Sequence, residues 1–355
     1  MAAQSAEAAT VTASATAQHT GASGRIYRFE KLLQEREHLG RVWVAEAEGK
    51  RYILKDLPEA YFNGFSEHVL PRLKTRQHPN VRLPCDTISN QRTVVYDHLT
   101  HDFLTLAQQD LTPQARKQVL KAVLQGLVEL HDKDIVHLDL KPDNVMVDCS
   151  EHAGILTIGK VQLTDFENAL PLEPGSKKFY YGALTGNENW RSPEGHLAAK
   201  IGKPTDIFAF GIMCIYAMLG KIVFAKDSDY EYQESQGNPG PLILMQRQLS
   251  YFGDDEGFKA LAKLVKRDGL LHKLLTASWE QRDSPKIPYK HFSTWPEVED
   301  DVVFKDIVLK MTNLDQRKRP TAREVLQHAW FSDVQEMGDG KVVVGTASSV
   351  EAQVE

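Results

Sequence analysis

Residues 137–148 read HLDLKPDNVMVD, and this stretch decides how the rest of the chain is read. His137, Asp139, Lys141 and Asn144 crowd one short loop, after a helical pattern and before an apolar, strand-like run. An aspartate on a tight loop can accept a proton from an attacking hydroxyl. A lysine two places on can meet phosphate oxygens, and an asparagine just beyond can hold a metal ion and orient the loop. Farther along, VQLTDFENA sets Asp165 at the end of an apolar strand, where an acid suits a hard cation such as Mg²⁺. His137 is expected to bond backbone near that metal loop rather than to carry protons, because Asp139 already offers the base.

Upstream of the loop, Thr112-Pro113 suits an N-cap and first helical position, followed by ARKQVLKAVLQGLVELH. Farther back, RVWVAEAEGKRYILK alternates around Glu48-Gly49, a turn dipeptide between two strands, and residues 80–99 hold two more strand-like runs, TVVY the clearer. Downstream, helices are expected at 205–219, 257–276, 300–312 and 321–329, the last opened by a Thr321/Glu324 capping box. Residues 226–240 are polar and contain glycine, and are expected to form a loop. A small sheet followed by a helical half is an α+β arrangement in two lobes.

With 355 residues, 42% hydrophobic and 25% charged, the chain has the composition of a soluble protein large enough to split its core. A net charge of -6 argues against a general basic field for nucleic acid, so phosphate recognition must be local. Cys85, Cys149 and Cys214 are too few and scattered for a disulfide framework, which suggests reduced thiols and a cytoplasmic or nuclear setting. The apolar run at 207–220 is too short for a membrane span and reads as a buried helix. The basic stretch KALAKLVKRDGLLHKLL reads as a solvated helix face, so neither a nucleic acid nor a membrane is expected as a partner. Residues 1–24 lack Lys and Arg and have no apolar block, so they are expected to be a disordered tail, and 332–355 a second tail.

Taken in order, HLDLKPDN, DFE, SPE at 192–194, DIFAFG at 206–211 and the distal Arg319 resemble the signature of the eukaryotic protein kinase family over residues 25–331. The resemblance implies a β-rich N-lobe at about 25–98, a helical C-lobe at about 99–331, and ATP with Mg²⁺ bound between them. Asp139 would be the base, Lys141 would meet the γ-phosphate, and Asn144 and Asp165 would hold the metal. Lys55 would pair the inner phosphates, with Glu67 its nearest match for a partner although Pro71 would cut that helix short. Gly40 and Val42 would cover the phosphates, and backbone groups of 97–99, Asp97 and Leu99 among them, would meet the adenine edge after Tyr96. Lys141 points to the serine/threonine branch, hence to a protein substrate with a Ser or Thr acceptor. Glu194 with Arg319 would form a buried ion pair, and Asp206 a helix-start cap.

Departures from the pattern keep a second expectation open, that of a pseudokinase serving as a binding or scaffold module. Glu35 and Glu37 occupy glycine positions, Ile53 would narrow the adenine slot, and Glu167 replaces the glycine of the metal motif. A carboxylate about 4 Å from a phosphate costs roughly 1 kcal/mol in water and about 4 at an effective dielectric near 20, so the side those glutamates face matters. Leu138 replaces an arginine that would meet a phosphate on the activation segment, although Ser176, Tyr180, Tyr181 and Thr185 remain as acceptors. Asn187 stands where a threonine is usual, and its amide is expected to substitute. A small-molecule kinase shares the loop but would not carry SPE, DIFAFG and Arg319.

Overall fold

The computed structural model describes residues 18–37, 40–76, 78–152, 155–174, 180–181, 184, 186–334 and 342–344. The chain divides into two compact units, one reaching Leu70 and including Arg82–Leu99, the other formed by Pro71–Val81 and the chain from Thr100 onward. Pro71–Val81 therefore lies outside the lobe expected for it. Its bonds explain why: Asn80 Nδ2 donates to Val161 O at 2.9 Å, Leu163 N to Asn80 O at 2.9 Å, and Arg72 to Leu172 O at 2.8 Å.

The first unit is a sheet of β1 (Gln18–Thr20), β2 (Ile26–Arg36), β3 (Gly40–Ala47), β4 (Lys50–Asp56), β5 (Asp86–Ile88) and β6 (Thr93–Asp97). Its strands run antiparallel in the order β1-β2-β3-β4-β6-β5. Glu48 and Gly49 have φ of 53° and 75°, the left-handed pair that closes a two-residue hairpin in the twist its strands need. Alternate residues point inward, and Tyr27, Ala45, Tyr52, Leu54 and Val95 form the core of this unit.

Residues 18–24, expected in a disordered tail, instead form β1 and a turn. Asp86 holds them: its carboxylate accepts the N–H of Ser23 at 3.1 Å, the Ser23 hydroxyl, and Tyr27 Oη at 2.9 Å. The helix expected to stop at Pro71 continues from Glu59–Gly64 through a π-turn, Phe65–Val69, into Leu70–Lys74. Proline has no N–H to give the carbonyl four residues back. The wider turn, in which Leu70 N–H reaches Phe65 O, lets the chain pass that gap.

The second unit is mainly helical. The helix Pro113–Asp132 starts at Thr112, whose hydroxyl accepts Ala115 N–H at 3.2 Å. Lys203–Leu219 is buried from Thr205 to Ala217, as its unbroken apolar run requires. β7 (His101–Asp102), β9 (Val145–His152) and β10 (Ile155–Leu163) form a small sheet, and β8 (Ile135–Val136) pairs with β11 (Leu170–Pro171). β12 (Tyr180–Tyr181) pairs with β13 (Lys200–Ile201). β14 (Val342–Val344), expected within a tail, pairs with β10.

Residues 226–240 are not the loop expected: Ser228–Ser235 is a helix, capped by Asp227, whose Oδ1 accepts Tyr230 N–H at 2.9 Å. Buried Arg247 clamps its start through Asp227 at 2.6 Å and Asp229 at 3.0 Å, a tertiary contact that local polarity cannot announce. The helix expected at 257–276 is two, Asp255–Leu264 and Gly269–Gln281, each opened by an aspartate, Asp254 and Asp268. Among the described residues no helix is long and apolar enough to cross a membrane.

Candidate active site

In the second unit, the segment that leaves β8 turns sharply because Leu138 takes φ 66°, a left-handed angle uncommon outside glycine. Asp206 holds the turn. Its Oδ2 accepts His137 N–H at 2.8 Å and its Oδ1 accepts Leu138 N–H at 3.0 Å, while His131 Nε2 lies 3.0 Å from Oδ2. Asp206 is therefore an anchor for the loop and not the helix-start cap expected. The N-cap of its helix is Gly202.

Asp139 projects from this turn. Lys141 Nζ lies 3.1 Å from its Oδ2, and Asn144 Nδ2 reaches Asp139 O at 2.8 Å and Oδ2 at 3.2 Å. Spending both amide hydrogens on Asp139 leaves Asn144 Oδ1 with no hydrogen bond among the described residues. A carbonyl oxygen on this buried residue, with a nearby aspartate, has the hard donor chemistry Mg²⁺ takes. Asp165 sits at the entry to the turn Phe166–Asn168 with φ 69°. Its loop is tied to that of Asp139: Thr164 N donates to Asn144 O at 3.0 Å, and His137 Nε2 lies 3.0 Å from Thr164 O with its ring edge on Phe166. His137 thus bonds backbone beside the Asp165 loop, as expected. The left-handed angle of this stretch falls on Asp165, and buried Glu167 has no such angle to bear.

Sequence reasoning missed one residue here. Gly186 has φ 73°, and a Cβ on it would stand 2.4 Å from Leu138 O and 3.4 Å from Asp139 Oδ1. Only glycine lets the following amide approach, and Asn187 N–H donates to Asp139 Oδ1 at 2.8 Å. The side chain of Asn187, expected to take a threonine's role at the loop, instead accepts Asn189 N–H at 2.9 Å. The contact with Asp139 is made by backbone. Arg191 donates to Gly186 O. Ser176 and Thr185 lie outside the described residues, as do the side chains of Tyr180 and Tyr181.

Behind this loop, Glu194 and Arg319 form two parallel bonds of 2.7 and 2.8 Å with both side chains fully buried. Thr205 Oγ1 and Pro204 O supply further partners. Burial alone would raise the Glu194 pKa, but the Arg319 charge and its hydrogen bonds hold the carboxyl below the ordinary range.

In the first unit, Lys55 stands on β4 opposite Val42 on β3 and Val94 on β6. Gly40 has φ 88°, and a Cβ there would lie 2.0 Å from Asp56 O, so the strand can pass only as glycine. Glu35 and Glu37 are exposed. Glu67 is exposed on the π-turn, and no ion pair joins it to Lys55 among the described residues. Tyr96 is buried beneath the Arg82 guanidinium, which also donates to Asp97 O, and Leu99, two residues beyond Asp97, is buried as well. Ile53 is half-buried on β4.

The family model described as the protein kinase domain matches residues 69–331. Dual specificity tyrosine-phosphorylation-regulated kinase 3 of Homo sapiens is 25% identical over 261 residues, 69% of this chain and 42% of its own length. Cyclin-dependent kinase-like 2 of Homo sapiens is 28% identical over 243 residues, 66% of this chain and 41% of its own. The chain thus spans less than half the length of these relatives. A crystal structure of the yeast RNA Pol II CTD kinase CTDK-1 complex contains a chain with a TM-score of 0.60 at 19% identity, over 87% of this chain and 98% of that one. At that identity the likeness is one of fold.

Proposed function

Because the chain belongs to the protein kinase family, we propose that it transfers the γ-phosphate of ATP to serine or threonine hydroxyls of a protein. The observation that carries this reading is Asp139 fixed from both sides, by Asn187 N–H on Oδ1 and by Lys141 and Asn144 on Oδ2. A carboxylate so held is oriented to accept the proton of an attacking hydroxyl. Lys141, within reach of the same carboxylate, would neutralise the transferring phosphoryl group. Asn144 Oδ1 and Asp165 would hold Mg²⁺, which when bound supplies charge neutralisation at the phosphate oxygens. Lys55 would meet the inner phosphates, Gly40 and Val42 would cover them, and backbone of 97–99 would receive the base. Glu67 is the candidate partner of Lys55, on condition that its exposed side chain turns toward it.

The scaffold alternative leans on Glu35, Glu37, Ile53 and Glu167, and most on the two glutamates that would stand near phosphate. Both side chains are exposed, so water can screen their charge, which supports the enzyme reading. The test is transfer of labelled phosphate from Mg-ATP to a generic basic protein, followed by phosphoamino-acid analysis. Phosphoserine or phosphothreonine is expected. Label on tyrosine alone, or none above background, would refute the assignment.

A further inference from the structure

The helices Asp255–Leu264 and Gly269–Gln281, which replace the single one expected over 257–276, form a hairpin. Phe258, near the start of the first, stacks on Trp279, near the end of the second, with ring centroids 4.6 Å apart and planes 4° from parallel. Their connection is therefore the tip of the hairpin, and residues 266–270 are all exposed there.

The tip is cationic. Lys263, Lys266, Arg267 and Lys273 are exposed, and none of them pairs with a carboxylate among the described residues. The one acid between Ala260 and Trp279 is Asp268. Its Oδ1 is taken by Leu271 N–H at 2.9 Å, as the cap of the second helix. Other exposed lysines of this unit are matched, Lys310 by Asp306 at 2.6 Å and Lys226 by Glu188 at 2.8 Å. In a chain of net charge -6, a cluster of unanswered cations is a local field that orients the molecule toward an anionic surface.

The tip also carries an exposed apolar side chain. Leu270 is 70% exposed, more than any other large hydrophobic residue among those described. It lies one helical turn before Lys273, on the same face of its helix. An anionic bilayer answers both features: headgroups meet the cations, and the boundary with the acyl chains takes the leucine out of water. Nucleic acid would neutralise the same charges through its phosphates but leave Leu270 in water. A convex tip gives a partner protein little area to bury, whereas a fluid bilayer closes around it.

We propose that the tip of this hairpin docks on an anionic phospholipid membrane, with Leu270 inserted and Lys263, Lys266, Arg267 and Lys273 at the headgroups. This goes beyond the solvated helix face expected of the stretch, and it is independent of the phosphotransfer reading.

The test is co-sedimentation of the full chain with phosphatidylcholine vesicles, with and without phosphatidylserine. Binding is expected only where phosphatidylserine is present, and it should weaken as salt rises. Lys266→Gln/Arg267→Gln should weaken it about 25-fold, at about fivefold for each cation, and Leu270→Ser about tenfold. Both variants change exposed positions, so their thermal midpoints should stay at the wild-type value. Lys31→Gln/Lys50→Gln, which removes the same charge from exposed positions of the first unit, should change binding by less than about twofold. No binding to phosphatidylserine vesicles, undiminished binding of Leu270→Ser, or an equal loss in the Lys31/Lys50 variant would each overturn the proposal. Tighter capture by polyuridylate than by vesicles would overturn it too, and would assign the tip to nucleic acid.

Discussion

The Asp206 carboxylate accepts the main-chain N–H of His137 at 2.8 Å, and with it the neighbouring amide of Leu138 at 3.0 Å. A residue distant along the chain thus fixes the strained turn from which Asp139 projects. Asp206→Ala would leave two buried donors and His131 without their acceptor, each worth about 1 to 3 kcal/mol. We expect a loss of about 3 to 5 kcal/mol in urea unfolding, and roughly half that for Asp206→Asn, which keeps one acceptor oxygen. A loss below about 1 kcal/mol would mean that the turn holds itself.

Gly186→Ala tests the close approach behind Asp139. With φ 73° and Leu138 O 2.4 Å from the added carbon, the loop must move. The expected cost is about 1 to 3 kcal/mol in stability. Because a displacement near 1 Å at a reacting group can cost about 10²-fold, phosphotransfer should fall far more than the stability loss alone predicts.

Asn187→Ala should behave in the opposite way. The bond to Asp139 comes from the main chain, and among the described residues the side chain serves Asn189 N–H. Rate is expected to stay within about threefold, with under about 1 kcal/mol lost in thermal unfolding. A collapse of activity would return the role to the amide side chain.

The Glu194–Arg319 pair makes stability depend on pH in a definite sense. The folded-state pKa of Glu194 lies below its unfolded value of about 4.3. Its contribution is therefore fully present above that value and lost as pH falls through the folded one. Urea midpoints of the wild type should drop on acidification below about pH 4, and Glu194→Gln should flatten that limb. Arg319→Met, which strands a buried carboxylate, should cost about 3 to 5 kcal/mol at neutral pH.

The parts of the molecule legible from sequence were those carried by local chemistry. The hairpin at Glu48-Gly49, the Thr112 cap, the buried run within Lys203–Leu219 and the roles of His137 and Glu194 each follow from a short pattern. Where tertiary contacts decide, the pattern failed. The helix Ser228–Ser235 depends on Arg247, the order of residues 18–24 on Asp86, and the passage of Pro71 on a π-turn. Asp206 reads from the sequence as structural, but as a helix-start cap, because no spacing reveals that its carboxylate faces His137. Gly186 carried a signal that could have been used, a glycine just before Asn187.

Asp139→Asn tests the central claim most directly. The variant keeps one acceptor oxygen but removes the carboxylate proposed to take the substrate proton. Measured on one preparation, ATP affinity should stay within about threefold while phosphate transfer falls by about 10² to 10⁴. Equal transfer by wild type and variant, at equal ATP affinity, would contradict the account.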